Sequence, residues 1–238
     1  MRREIAELWK LVGSEVEAGR VLAAAAAGDD LAEAADIFKL AGLSQAEIRR
    51  LKIGMRKAAT LNIDAALRRT MGDSYIPLSK RVWKSEVLVR GQLDRIIFDH
   101  LSRGSSAREF AKAVRQFALP STRGGVRYAA ARLARTEINN AHHAVMKREI
   151  EAEPFVTYAQ WHLSGSHKVP DECNDYAQTD HIGEGPGVYK KNAVPNRPHP
   201  NCFCYVTGIT VDRDDFIAAF RAGKYDAWMR KNGVDPGA

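Results

Sequence analysis

Residues 167–204 read HKVPDECNDYAQTDHIGEGPGVYKKNAVPNRPHPNCFC, and the fold turns on how this stretch is held. All three cysteines, Cys173, Cys202 and Cys204, lie in it, together with His167, His181 and His199 out of seven histidines in 238 residues. It is rich in proline and glycine and reads as one long irregular loop over 164–201. A loop of that length inside a compact domain needs something specific to hold it. The two ends of the stretch supply a candidate. Strand alternation over 202–210 places Cys202 and Cys204 on one face and Phe203 on the other. His199 stands three residues ahead of Cys202, between two prolines that fix the approach of the chain. His167 and Cys173 lie six residues apart in the other arm.

Zinc takes four nitrogen or sulfur ligands in a tetrahedron, often as two close pairs separated by a loop. Two pairs drawn from His167, Cys173, His199, Cys202 and Cys204 meet that need if the flanking strands pair antiparallel. Five candidates for four positions leave the ligand set open, and a closed site of four protein ligands would be structural. The competing reading is a dry loop shaped by prolines, with the cysteines as small buried hydrophobes. Asp171, Glu172, Asp175 and Asp180 add carboxylates that could serve acid/base or Mg²⁺ chemistry. A metal-dependent hydrolase or nuclease using Asp171, Glu172 and His199 is therefore the enzymatic alternative. The Gly183–Gly187 run reads as a turn rather than a nucleotide loop, because no strand precedes it.

Outward from this stretch, residues 155–163 have the aromatic and β-branched composition of a strand, and 202–210 form a second. Asp212 and Asp215 favour the start of a terminal helix over 212–222, with a last short helix at 224–231. Upstream the texture is helical. Residues 3–27 read as a helix closed by Gly28, and 31–41 as a short second one. Ser44 and Glu47 have capping-box spacing and open a helix to about Met71, with Ile48, Leu51, Met55, Ala58, Ala59 and Ala66 on one face and Asn62 as a polar break in it. After a connector at 72–77, residues 79–102 form an amphipathic helix, Ser106 and Glu109 cap the next, and the 120–125 break precedes a long helix over 126–151.

That long helix carries a dense polar stripe. Arg132, Thr136, Asn139 and His143 share one face, while Arg135, Glu137 and Asn140 point elsewhere. The density suggests a hydrogen-bonded network, or a contact surface against the loop. We take Arg132, Arg135, Thr136, Glu137, Asn140 and Trp161 as the structural network.

Composition sets the outer limits. Lys and Arg number 36 against 29 Asp and Glu, a net charge of +7. Residues 1–150 carry 27 basic against 17 acidic residues, and 151–238 carry 9 against 12. A basic helical half could meet nucleic acid or an acidic protein surface. Three cysteines cannot all pair, so a secreted disulfide scaffold is not expected and a reducing compartment is. Glu4, Glu7, Glu15 and Glu17 interrupt the N-terminal run that could pass for a signal peptide. No stretch approaches the ~20 apolar residues that span a bilayer, so no membrane partner is expected.

Several motifs, taken in order, resemble a known family. Residues 125–142 (GVRYAAARLARTEINNAH), Trp161, residues 166–173 (SHKVPDEC) and residues 198–204 (PHPNCFC) are similar to the phage Mu F-like minor head, or head morphogenesis, family. Its pattern is an Arg-Thr-Glu helix, a Trp-bearing strand, a loop with Cys or Asp/Cys, and a terminal His-Pro-x-Cys-x-Cys. The likeness covers about residues 78–210. The chain departs from it in two places: His167 and Asp171-Glu-Cys173 stand where many members carry C-x-x-C, and Phe203 where many carry Arg. The resemblance implies a minor capsid protein of a tailed phage or prophage, made in the host cytoplasm and placed in the virion near the portal. It implies action in procapsid assembly rather than catalysis, with the portal, other head proteins or packaged DNA as partners. A DNA-binding accessory protein, packaged in the head and ejected with the genome, is a further alternative.

The expected fold class is α+β, predominantly α-helical, with a small antiparallel sheet. A helical, basic region over 1–120 would dock on portal or DNA. A morphogenesis module over 121–210 would hold the Cys/His loop, pinned by a structural zinc. A helical tail would cover 211–238.

Overall fold

The computed structural model describes residues 2–60, 63–72, 75–119 and 121–236. The fold is α+β and mostly helical: α1 (Arg2–Ala32), a 3-10 helix (Glu33–Ala41), α2 (Gln45–Thr60), α3 (Ile63–Met71), α4 (Leu78–Ser102), α5 (Ala107–Phe117), α6 (Val126–Ala152), β1 (Val156–His162), α7 (Glu172–Gln178), β2 (Val188–Lys190), β3 (Tyr205–Thr210), α8 (Arg213–Arg221) and α9 (Asp226–Lys231). The three strands form one antiparallel sheet in the order β2-β1-β3.

The chain divides into two compact units, neither of them continuous in sequence: residues 1–19 with 74–138, and residues 20–73 with 139–238. These units do not coincide with the linear division at 120 and 210. The reason is that α1 and α6 are long enough to give a segment to each unit, and that residues 20–73 share a core with the C-terminal half. Charge follows the units. The first holds 16 Lys/Arg against 9 Asp/Glu, the second 20 against 20, so the whole net charge of +7 belongs to the first.

The first unit is built on α4, α5, the N-terminal part of α1 and the N-terminal half of α6. Ile5, Trp9, Val89, Leu93, Phe117 and Leu133 form its buried core. Helix α5 starts where its capping box predicts, with Ser106 Oγ accepting from the Glu109 N–H and the Glu109 carboxylate accepting from the Ser106 N–H. The apolar stripe expected on α4 is only half used. Val89 and Leu93 are buried, but Val87 and Leu101 are exposed.

The second unit packs the sheet, the C-terminal half of α6, α2, α3 and the terminal helices around an aromatic core. Phe38 of the 3-10 helix stacks on Trp228 at 5.4 Å and meets Phe155, Phe216 and Tyr225 edge-on. Helix α2 opens on its predicted capping box, the Ser44 N–H donating to Glu47 Oε2 at 2.7 Å. Its inward face buries Ile48, Leu51, Met55 and Ala59, and Ala66 of α3 is buried too. Asn62 lies outside the described residues, as do Asp73 and Ser74 of the 72–77 connector and Pro120 of the 120–125 break.

Three expectations are corrected here. Gly28 does not end the first helix. A Cβ there would stand 2.5 Å from the Ala59 Cβ, so this glycine permits the close approach of α1 and α2; α1 runs on to Ala32 and into the 3-10 helix, which ends at Gly42, in the left-handed region at φ +86°. The 164–201 segment is not structureless, since α7 and β2 lie within it. The second long strand begins at Tyr205, so Cys202 and Cys204 precede it. The Cys202 carbonyl accepts from Asn139 Nδ2 at 2.9 Å and from the Arg197 guanidinium, rather than from an amide of β1.

Candidate metal centre

Helix α6 acts as a rack for the loop. From its C-terminal half, Asn139 holds the Cys202 carbonyl, His143 Nε2 donates to the Pro195 carbonyl at 3.0 Å, and Lys147 Nζ donates to Asn196 Oδ1 at 2.8 Å. Arg197 closes the set, donating to the Asn139 carbonyl at 3.3 Å as well as to Cys202. His143 is the buried member of this set, while Asn139, Lys147 and Arg197 are half-buried. His143 is kept neutral, its pKa lowered from 6.5 to about 3 by burial first and by the nearby Arg197 charge second.

The other arm is positioned by α7 and the turn after it. Asp171 caps α7, its Oδ1 accepting from the Cys173 N–H at 2.8 Å while its own N–H donates to Asn174 Oδ1 at 3.0 Å. This cap sets Cys173 in the first turn and fully buried. Gly187, at φ +71°, closes the turn into β2. A Cβ there would meet the Ala177 carbonyl at 2.8 Å and the Trp161 carbonyl at 3.0 Å. Trp161 is buried beside this turn, edge-on to His143 (ring centroids 5.4 Å apart) and to Tyr176 (5.2 Å).

The five candidate ligands come together. Cys173 Sγ lies 3.4 Å from Cys202 Sγ and 3.6 Å from His199 Nε2, and Cys204 Sγ lies 3.9 Å from His167 Nδ1. Two triads result, His167–Cys173–Cys204 and Cys173–His199–Cys202, each with donor atoms within 4.8 Å of one another. Cys173 belongs to both. Donors of a tetrahedral zinc with bond lengths of about 2.0–2.3 Å stand roughly 3.3–3.8 Å apart, and the contacts just given lie in or beside that range. The histidines are also turned correctly. His199 Nδ1 faces the Pro200 carbonyl at 2.9 Å, and Nε2 is the ring nitrogen turned to Cys173. His167 Nε2 contacts Asn174 Oδ1 at 2.8 Å, and Nδ1 is turned to Cys204. Orienting partners of this kind are what metal-bound imidazoles use.

The protein can therefore hold a metal ion at His167, Cys173, His199, Cys202 and Cys204. Burial raises the pKa of Cys173 and Cys204 above the ordinary thiol value, so metal-free thiols here stay protonated. Asp171 approaches the same group, its Oδ2 lying 2.9 Å from His199 Nε2. Burial alone would raise its pKa, but the Cys173 N–H and the two histidines hold it below the ordinary value. A cleft of about 220 Å³, lined by His167, Asp171, His199 and Phe203 among others, opens on this side. Glu172 is exposed and does not line it. His181, in the same stretch, stacks on Tyr189 at 4.7 Å and is no part of the cluster.

No family model, curated protein or solved structure matches the chain.

The polar residues of α6 turn to several partners. Glu137 is buried against Arg81, 2.6 Å from its guanidinium, and Thr136 Oγ1 donates to the Arg132 carbonyl one turn back. Arg132 and Arg135 are exposed and Asn140 is half-buried. Trp161 itself packs edge-on to His143 of the same helix and to Tyr176. The residues that grip the loop are instead Asn139, His143 and Arg197. Asn139 and His143 shared a predicted face, and that face was the available signal. Arg197, inside an irregular loop, gave none.

Proposed function

We propose that this chain is a non-enzymatic head-morphogenesis protein of a tailed phage or prophage, with a loop pinned by one structural zinc drawn from His167, Cys173, His199, Cys202 and Cys204. The observation that carries the metal part is the convergence of three buried thiols and two oriented imidazoles from the two ends of one loop. Bound there, zinc would crosslink α7 to the segment entering β3, a role a closed four-ligand site fills without catalysis. The head-assembly part is supported by the order of the motifs: the Arg-Thr-Glu helix, the Trp strand and the terminal His-Pro-Asn-Cys-Phe-Cys. Portal or other head proteins would be the partners, with assembly in the host cytoplasm and a place in the virion. In a phage or prophage carrying the gene, its deletion is expected to lower the yield of filled heads, and the protein should sediment with procapsids. Normal heads without it would overturn the assembly reading.

Two alternatives each have an observation in their favour. The cleft at His167, Asp171 and His199 favours a metal-dependent hydrolase or nuclease. For that reading Asp171→Asn, which keeps the oxygen that caps α7, should abolish metal-dependent hydrolysis of a nucleic acid while leaving the melting temperature nearly unchanged. The concentration of the net charge in one unit favours a DNA-binding accessory protein. Binding without turnover, falling steeply with salt, would support it.

A further inference from the structure

Strand β3 lies at the edge of the sheet, and its two sides can be told apart. The Val211 N–H donates to the Phe155 carbonyl at 2.9 Å, so residue 211 faces β1. Alternation along an antiparallel strand then turns Ile209, Thr207 and Tyr205 toward β1, in register with Tyr158, Gln160 and His162. The peptide groups of Val206 and Gly208 turn outward. The register agrees from the other side. Trp161, opposite Val206, gives its N–H to the Gly187 carbonyl at 2.8 Å, away from β3. No hydrogen bond among the described residues takes up the outward N–H and C=O of Val206 and Gly208.

Proteins ordinarily blunt such an edge with charge, proline or a bulge. Tyr205–Thr210 carries no charged residue and no proline, and the register irregularity of this pair falls between Val156 and Tyr158 on β1. The edge opens on a cleft of about 600 Å³, lined along one side by four consecutive β3 residues, 205–208, and along another by the end of α1 and the start of the 3-10 helix. Phe203 and Tyr205 offer exposed aromatic surface there. Asp30 and Glu33 carry carboxylates on the facing wall. Glu33 is paired with Lys52, whereas Asp30 meets only His142, at 3.3 Å. Burial lowers the His142 pKa, so that histidine does not compensate the Asp30 charge at neutral pH. Arg197 also lines the cleft, but its guanidinium is taken up by the Asn139 and Cys202 carbonyls.

We propose that the outer edge of β3 is a strand-addition site, taking one extended segment of a partner protein in which apolar residues alternate with Lys or Arg. The outward groups of Val206 and Gly208 would supply the ladder hydrogen bonds. Phe203 and Tyr205 would take the apolar side chains, and Asp30 a basic one. Exposed aromatic surface and a carboxylate beside the open edge fit a peptide of this composition, and pairing between copies is an outcome of the test below. The inference does not depend on the metal or on head assembly.

The test uses the full-length protein, isotopically labelled, and a blocked peptide of alternating Lys and Val as the probe. In the free protein the Val206 and Gly208 amides should exchange with solvent fast while Thr207 and Ile209 are protected. Adding the peptide should slow Val206 and Gly208 at least about tenfold. The same peptide N-methylated on alternate residues should give no protection, and Asp30→Lys should weaken binding roughly tenfold. Slow exchange at Val206 and Gly208 in the free protein, unchanged on dilution, would mean that the edge is already covered within the chain. Slow exchange lost on dilution would mean pairing between copies. Unchanged exchange on adding peptide, or equal binding of the N-methylated form, would equally overturn the proposal.

Discussion

Cys173 occupies the shared corner of the two triads, and that position gives it a different weight from the other four candidates. Cys173→Ser should abolish zinc retention, while His181→Ala, whose ring only stacks on Tyr189, should leave it unchanged. Metal content after gel filtration distinguishes them. Two other residues predict how stability varies with pH. His143 has its pKa lowered from 6.5 to about 3, so the folded state refuses a proton that the unfolded chain accepts. Its contribution is complete above about pH 6.5 and is lost as pH falls toward 3, at up to about 1.4 kcal/mol per unit. His143→Gln, which can still donate to Pro195, should flatten that acid limb in melts compared at matched metal content. Glu153 behaves in the opposite sense. Burial, then the neighbouring Glu149, raises its pKa from 4.5 to about 8, so stability is full below pH 4.5 and is lost as pH rises through 8. Glu153→Gln should therefore stabilise the protein at pH 8 by about 1 kcal/mol or more, and a lower melting temperature there would contradict the assignment.

At the scale of elements, the loop is held by a helix as well as by any metal. Asn139 of α6 anchors the Cys202 carbonyl, so Asn139→Ala should loosen the segment entering β3 and destabilise the protein by about 1–2 kcal/mol in denaturant melts. Gly187→Ala should cost about 2 kcal/mol or more, because it combines a left-handed φ with two carbonyl contacts. The sequence made some elements readable and hid others for physical reasons. The Ser44–Glu47 and Ser106–Glu109 capping boxes are local hydrogen-bond patterns, and both helices begin where those patterns place them. Helix α7 carries the same kind of cap at Asp171–Asn174, but at seven residues it is too short to show a period. Gly28 was misread because a helix-stopping glycine and a helix-packing glycine look alike until the partner, here Ala59, is known. Cys202 and Cys204 keep the burial that alternation predicts, with Phe203 exposed between them, although the segment is not a strand.

At the scale of the molecule, composition pointed to a basic half, and the contacts redraw that half as a discontinuous unit. Residues 20–73 and 139–238 form a charge-balanced unit with the candidate metal centre, and the remaining residues hold the surplus. No local pattern could reveal this, because α1 and α6 read as single helices while contributing to both units. If the surplus serves DNA, the full-length protein should bind duplex DNA with an affinity that falls linearly on a log–log salt plot, and charge-reversing substitutions at the exposed Arg132 and Arg135 should shallow the slope. No helix among the described residues is long and apolar enough to cross a membrane. The convergence of the five His and Cys residues, by contrast, was legible from residue type and spacing, because the usual soft-metal ligands cluster here in 38 residues.

The most direct test of the central claim is the zinc content of the purified, untagged protein, measured together with thermal melts with and without a chelator. The account predicts about one zinc per chain and a large fall in melting temperature when the metal is removed. A metal-free protein whose melting is indifferent to chelator would contradict it, and would leave packing, prolines and the α6 contacts as what holds the loop.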